Sequence, residues 1–238
     1  MNNSVRTDYQ DIITAVFVTV LLVSNIASSA KIIDCGFSLF GIRMSLDAGT
    51  LLYPISYIFG DIFTEVYGYS RSRRIIWTGF FMLFLSSSLF HLVSVLPGDA
   101  TWQKYAGDNA YRVILGGMSS GGIFVASLCG YFAGEFTNSF MLARMKVLTK
   151  GRWLWTRTVG STLGGQIVDT GLFLLIACTT GVFPFTLFIQ LFIMNYIFKC
   201  MIEVIMTPVT YKVCAWLKKK EGIDHYDIGT KFNPFSFK

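Results

Sequence analysis

A helix needs about 20 consecutive apolar residues to cross the hydrocarbon core of a bilayer, and this chain holds several runs of that length. Ile12 to Ala30, Ile75 to Val95 and Val113 to Gly134 contain no Asp, Glu, Lys or Arg. Val159 to Val182 carries Asp169 as its one charge, and Phe185 to Pro208 carries Lys199 and Glu203. In water such runs would need burial on all sides, and a chain of 238 residues with 14% charged residues lacks the polar surface to cover five of them. Lipid removes that demand. The expected fold class is all-α, a polytopic membrane protein with its helices in one bundle.

The segment from about Gly49 to Tyr69 is less regular, with Pro54 near its start and Asp61 and Glu65 near its end. Alone in lipid such a helix is marginal, so it is expected inside the bundle, as the second of six transmembrane helices or broken part-way. Orientation follows from Lys and Arg. With six spans, fifteen of these residues fall on one side: Arg6, the Arg71–Arg74 segment, the stretch from Arg144 to Arg157, and the tail from Lys212 on. Lys31, Arg43, Lys104 and Arg112 fall on the other. The positive-inside rule then places both termini in the cytoplasm. The expected division is a cytoplasmic N-terminus over 1–11, a six-helix transmembrane domain over 12–217 and an irregular cytoplasmic tail over 218–238. The first run is read as a retained helix, not a signal peptide.

Composition and spacing exclude several functions. The net charge of +6 is scattered through short connecting segments, with no continuous basic face for nucleic acid. Cys35, Cys129, Cys178, Cys200 and Cys214 form no CxxC or Cys/His pattern, so neither a metal nor another cofactor is expected. No HExxH, GxSxG or P-loop appears, and the chain is not expected to be an enzyme. Glycines four apart (Gly117 and Gly121, Gly130 and Gly134, Gly160 and Gly164) are expected to be helix-packing faces, and they would permit a homodimer.

The residues that carry information are the polar ones in the apolar runs, since a charge at mid-membrane costs roughly 2.5–3.5 kcal/mol on insertion scales. Asp61 and Glu65, four apart, would face one side of a regular helix, with Tyr57 on the same stripe. Thr162, Gln166 and Asp169 share a face of the fifth span, and Asn195, Lys199 and Glu203 a face of the sixth. Glu135 and Asn138 end the fourth span, and Asn25 lies deep in the first. Convergence of these stripes would give a bundle interior of carboxylates, amides and one ammonium. Plainer roles compete: Arg71, Arg73 and Arg74 would neutralise Asp61 and Glu65 at the surface, or Lys199 and Glu203 would form an internal ion pair. Four stripes of different chemistry suit a binding pocket better than a uniform conduction ring.

The stretch Asp47-Ala48-Gly49 to Pro54, then Asp61 and Glu65-Val66-Tyr67-Gly68, resembles the central motif of the queuosine precursor transporter family, small bacterial membrane proteins of vitamin-uptake type. The similarity continues through Ala126-Ser127, Gly134-Glu135 and Asn138-Ser139. It goes on through Arg157, Gly160-Ser161-Thr162, Gln166, Asp169-Thr170, Lys199, Glu203 and Thr207-Pro208. Glu221, Asp224, Tyr226-Asp227 and Phe232-Asn233-Pro234-Phe235 complete it. The resemblance implies uptake of a 7-deazaguanine (preQ0, preQ1 or queuine) through the cell inner membrane, to feed queuosine modification of tRNA. On that basis Asp169 or Glu135 would grip the base edge, with Gln166, Asn138 and Asn25 completing the hydrogen bonds. Lys199 and Glu203 would orient or neutralise, and Asp61 with Glu65 would act as binding or coupling carboxylates. Two other readings fit the residues: a membrane substrate-binding subunit energised by a separate ATPase module, and a membrane enzyme acting on a nucleobase or lipid-linked substrate.

Overall fold

Helices dominate the computed structural model, which describes residues 9–39, 42–119, 121–181 and 183–236. The side chains of Cys35, Arg43, Asp47 and Tyr57 lie outside what is described, as do residues Arg6 and Lys238 altogether. Helix α1 (Gln10–Ala30) leads into an antiparallel hairpin, β1 (Ile32–Leu39) and β2 (Ile42–Asp47), which pairs Ile32 with Asp47 and Leu39 with Ile42. Helix α2 (Tyr53–Ile62) follows, then a π-helical turn over Phe63–Tyr67, then α3 (Tyr69–Val95). The short α4 (Trp102–Tyr105) precedes α5 (Gly107–Ser119), α6 (Gly121–Leu148), α7 (Leu154–Thr179) and α8 (Phe188–Glu221).

Five helical stretches are long and apolar enough to cross a membrane: α1, α3, the run 107–148 through α5 and α6, α7, and 185–221 ending in α8. Their outward faces are apolar, with Phe81, Leu85, Ile167, Ile197 and Val204 all about half exposed. Such a surface is stable in lipid and not in water. The chain is therefore a multi-pass membrane protein.

Two sequence expectations are modified. The segment expected as the second span is a ten-residue helix plus five π-helical residues. At 1.5 Å per residue it reaches about 22 Å, short of the hydrocarbon thickness of about 30 Å. Its brevity has a physical basis: Gly68, at φ +82°, ends it in a conformation that L side chains rarely adopt. The apolar run Val113 to Gly134 is likewise not one helix, because Gly121 at φ +76° separates α5 from α6.

Helices α6 and α7 pack closest, through glycine. A Cβ on Gly134 would stand 2.5 Å from the Asp169 Cβ, and one on Gly165 would stand 2.9 Å from the Asn138 Cβ. Gly160 and Gly164 face Met145 and Met141 of α6. The two α6/α7 glycine pairs expected to be packing faces are thus occupied within the chain. Gly117 meets Ser29 of α1, while a Cβ on Gly121 would meet open space.

The start of α1 and the end of α8 lie at the same end of the bundle. The Tyr9 backbone N–H donates to Glu221 Oε1 at 2.9 Å, and the Tyr9 ring meets Trp216 edge-on. The tail beyond α8 is irregular, as expected, but it is docked. Asp227, buried, accepts from the Tyr69 N–H through both carboxylate oxygens at 3.2 and 3.0 Å, at the start of α3. Arg73 donates to the carbonyls of Lys231 and Asn233, and the Trp77 indole donates to that of Pro234. Phe232 packs on Tyr69 and Phe140. Asp227→Ala removes a carboxylate from a helix N-terminus, so it is expected to cost about 1–2 kcal/mol. Thermal unfolding of the purified protein in detergent would read this as a lowered midpoint.

Asp224 joins the tail to the bundle. Partial burial pushes its carboxyl up, but hydrogen bonds from Lys146 and Lys218 outweigh this and hold it below the usual range. A carboxyl depressed in the folded state contributes stability above its unfolded pKa and loses it as pH falls through the folded value. This contact therefore holds at neutral pH and loosens only in strong acid.

Candidate functional site

A cavity of about 580 Å³ lies among α1, α5, α6, α7 and α8, within the range of small-molecule sites. Its lining comes from the C-terminal half of α1, the first two-thirds of α6, the middle of α7 and the start of α8. These are the parts of each helix remote from the end where Tyr9 meets Glu221. Six of the nine expected site residues line it: Asn25, Glu135, Asn138, Gln166, Asp169 and Lys199. The spacing that puts Thr162, Gln166 and Asp169 on one face of α7 therefore brings all three to the cavity, and α8 adds Asn195 beside Lys199.

The polar groups differ in how far they are engaged. Lys199 Nζ donates to Asp169 Oδ2 at 2.5 Å, an ion pair between α8 and α7, each side chain about one-fifth exposed. Lys199 therefore pairs across helices and not with Glu203 along its own. Asn25 donates its amide N–H to the Leu21 carbonyl of its own helix at 2.8 Å. Asn138 donates to Asp61 Oδ1 at 3.1 Å, and its own Oδ1 accepts nothing among the described residues. Gln166 Oε1 and Thr170 Oγ, both buried, also lack a partner there. No hydrogen bond among the described residues engages the Glu135 carboxylate. Gly60 of α2 makes room for it, since a Cβ on Gly60 would stand 3.0 Å from Glu135 Oε2. Buried polar atoms without partners carry a desolvation cost of about 1–3 kcal/mol each, which a polar ligand would relieve.

Tyr131, one turn before Glu135, was not anticipated as lining, nor were Ser56, Ser127 and Thr170. Their signal in the sequence was weak because an uncharged hydroxyl in an apolar run is far less costly than a charge and so does not stand out; the Tyr131 hydroxyl donates to the Ile76 carbonyl of α3 at 3.2 Å. Phe124, Phe173, Phe183 and Phe198 supply flat apolar wall.

Asp61, Glu203 and Glu65 do not line the cavity; they lie beyond it, toward the termini. The Asp61 and Glu203 carboxyls face each other within hydrogen-bonding reach, each side chain 1% exposed. Glu65 is one layer further. The π-helical turn between Asp61 and Glu65 is closed by bonds five residues apart, and it unwinds the face that a regular helix would have given them in common. Glu65 Oε1 instead accepts from Arg157 at 2.9 Å and Lys218 at 2.7 Å, with Lys146 at 3.7 Å. Lys146 also donates to the Glu65 carbonyl, to Asp224 and to the His225 carbonyl. The partners of Glu65 among the described residues are thus not the Arg71, Arg73 and Arg74 set, of which Arg73 instead holds the tail.

A multi-pass helical bundle enclosing a polar cavity with unsatisfied carboxylate and amide groups has the makeup of a small-molecule transporter. Comparison with known proteins agrees. Residues 47–213 match the family described as "Putative vitamin uptake transporter". A "Probable queuosine precursor transporter" of Bacillus subtilis (strain 168) is 26% identical over 177 residues, 73% of this chain and 72% of that protein. One from Haemophilus influenzae (strain ATCC 51907 / DSM 11121 / KW20 / Rd) is 25% identical over 69% of this chain and 66% of its own length. The "Queuosine precursor transporter" of Escherichia coli (strain K12) is 22% identical over 85% of this chain and 87% of its own. No solved structure matches. The chain belongs to this family of putative vitamin uptake transporters.

Proposed function

We propose that this protein imports a 7-deazaguanine queuosine precursor (preQ0, preQ1 or queuine) across the inner membrane for tRNA modification. The observation that carries the reading is the uncommitted Glu135 carboxylate beside Asn138, Gln166 and the Asp169–Lys199 pair, in a cavity walled by phenylalanines. A guanine-type edge presents adjacent N–H donors, which one carboxylate accepts in a two-pronged fashion. Its carbonyl and ring nitrogen accept from Lys or amide N–H, and its flat face stacks on aromatic rings for about 1–3 kcal/mol. Of the two carboxylates weighed for the base edge, Glu135 is the better suited, since Lys199 already neutralises Asp169. The relatives' names, which speak of a queuosine precursor, support this reading.

The topology proposed is six crossings, with α2 and its π turn as the short second crossing and both termini cytoplasmic. An even number of crossings is supported by the contact of Tyr9 with Trp216 and Glu221 at one end of the bundle. Their cytoplasmic placement is supported by the basic residues gathered at that end. The cavity then lies toward the outer face, with Glu65, its cations and the docked tail sealing the inner one.

The test is queuosine in tRNA from cells lacking both queuosine synthesis and their own importer. Expression of this chain with external preQ0, preQ1 or queuine is expected to restore the modification for at least one of them. No restoration by any, in a host whose downstream enzymes are shown to work, would reject the substrate assignment.

A further inference from the structure

We propose that Asp61 and Glu203 share one proton and form the coupling site through which a proton gradient drives this transporter. The inference rests on the transport reading above but concerns residues outside the cavity.

Four observations carry it. First, the two carboxyls face each other between α2 and α8, both 1% exposed, and Asp61 Oδ2 and both Glu203 oxygens accept no hydrogen bond among the described residues. Two buried carboxylates in contact cannot both be charged, whereas one proton between them makes a strong hydrogen bond. Second, neither carboxyl forms an ion pair with a cation among the described residues. Facing the pair are Glu135 from α6, and Cys200 and Cys214 from α8. Helix α1 packs apolar Phe17 and Leu21 against Ile58 and Ile62 of α2, α7 offers Asp169 already held by Lys199, and Glu65 beyond the π turn is held by its own cations. Third, the pair is wired to the cavity, because Asn138 lines the cavity and donates to Asp61 Oδ1.

Fourth, both helices are weak where they carry the pair. Asp61 lies two residues before the π-helical turn, and Glu203 lies five before Pro208 inside α8. Proline removes a helical hydrogen bond and π turns distort the ladder, so each segment bends there at low cost. With the proton in place α2 is held against α8 and the floor of the cavity is closed. A proton entering with substrate from outside binds the pair. Its release to the cytoplasm leaves two carboxylates that repel, which separates α2 from α8 and opens the path beneath the cavity. One proton crosses per substrate, and no bond other than its own O–H is made or broken.

The test uses the purified full-length chain in liposomes, with preQ0, uncharged at neutral pH, as probe. One proton per molecule gives about tenfold accumulation per pH unit imposed. Asp61→Asn and Glu203→Gln cannot reach the doubly charged state that opens the path, so pH-driven accumulation is expected to be lost in both. Accumulation driven by sodium and indifferent to pH, or pH-driven accumulation kept in both variants, would overturn the proposal. If the wild-type chain moves no 7-deazaguanine, the substrate reading fails separately, and infrared spectra of the ligand-free protein judge the pair. A protonated-carboxyl band present at neutral pH in the wild type, and lost in either variant, supports the shared proton. Its absence from the wild-type spectrum, a measurement needing no variant, rejects it.

Discussion

Glu135→Gln is expected to lower the affinity for a 7-deazaguanine about 10- to 100-fold, measured as uptake by cells at equal membrane expression. A carboxylate offers two acceptors to the paired N–H groups of the base, whereas the amide offers one acceptor and turns a competing N–H toward the second. Losing a charged hydrogen bond of this kind costs about 1.5–3 kcal/mol. The substitution should leave folding nearly untouched, because no hydrogen bond among the described residues depends on that carboxylate. Unaltered uptake in Glu135→Gln would remove Glu135 from the site and return the role to Asp169.

The largest expected effect on stability comes from Glu65. It is the shared partner of Arg157, Lys146 and Lys218, and its own side chain and those of Arg157 and Lys146 are each 1% exposed. Glu65→Gln leaves Arg157 without its anion and leaves Lys146 and Lys218 with Asp224 alone between them, and breaking a buried ion pair in this way costs about 3–5 kcal/mol. The expected result is poor membrane yield and early thermal unfolding of whatever protein is recovered. Lys218→Met should be much milder, since Lys218 is 25% exposed and two cations remain on Glu65. If Glu65→Gln gave a stable protein with impaired uptake, Glu65 would have a transport role and not a structural one.

These two carboxylates also show how far the sequence could be read. Helices and cavity were accessible because each helix keeps one regular period over its length. Thr162, Gln166 and Asp169 on α7, and Asn195 with Lys199 on α8, therefore reach the same space from spacing alone. The segment around Asp61 defeated the same reasoning. A π-helical turn has no compositional signature in Phe63-Thr64-Glu65-Val66-Tyr67, yet it sends Asp61 and Glu65 into different layers. Charge was misleading in a second way. Lys146, Arg157 and Lys218 count as orientation signals in a tally of basic residues, but they are also internal partners of Glu65. Only the meeting of the π turn with α6, α7 and α8 reveals that. The tail posed a similar problem. Its Gly229 and Pro234 and its polar composition rule out a helix, and nothing local indicates that Asp227 and Phe232 dock on the start of α3.

The most direct measurement of the central assignment is equilibrium binding of preQ0 to the purified protein, with other bases as competitors. The expected result is saturable binding displaced by other 7-deazaguanines and not by adenine, whose edge lacks the adjacent N–H pair that a carboxylate would accept. A cavity built to bond those N–H groups should reject a base without them strongly, because its polar atoms would be left unpaired. Absence of saturable binding, or displacement by adenine as effective as by a 7-deazaguanine, would contradict recognition of a guanine-type edge by Glu135 and its neighbours.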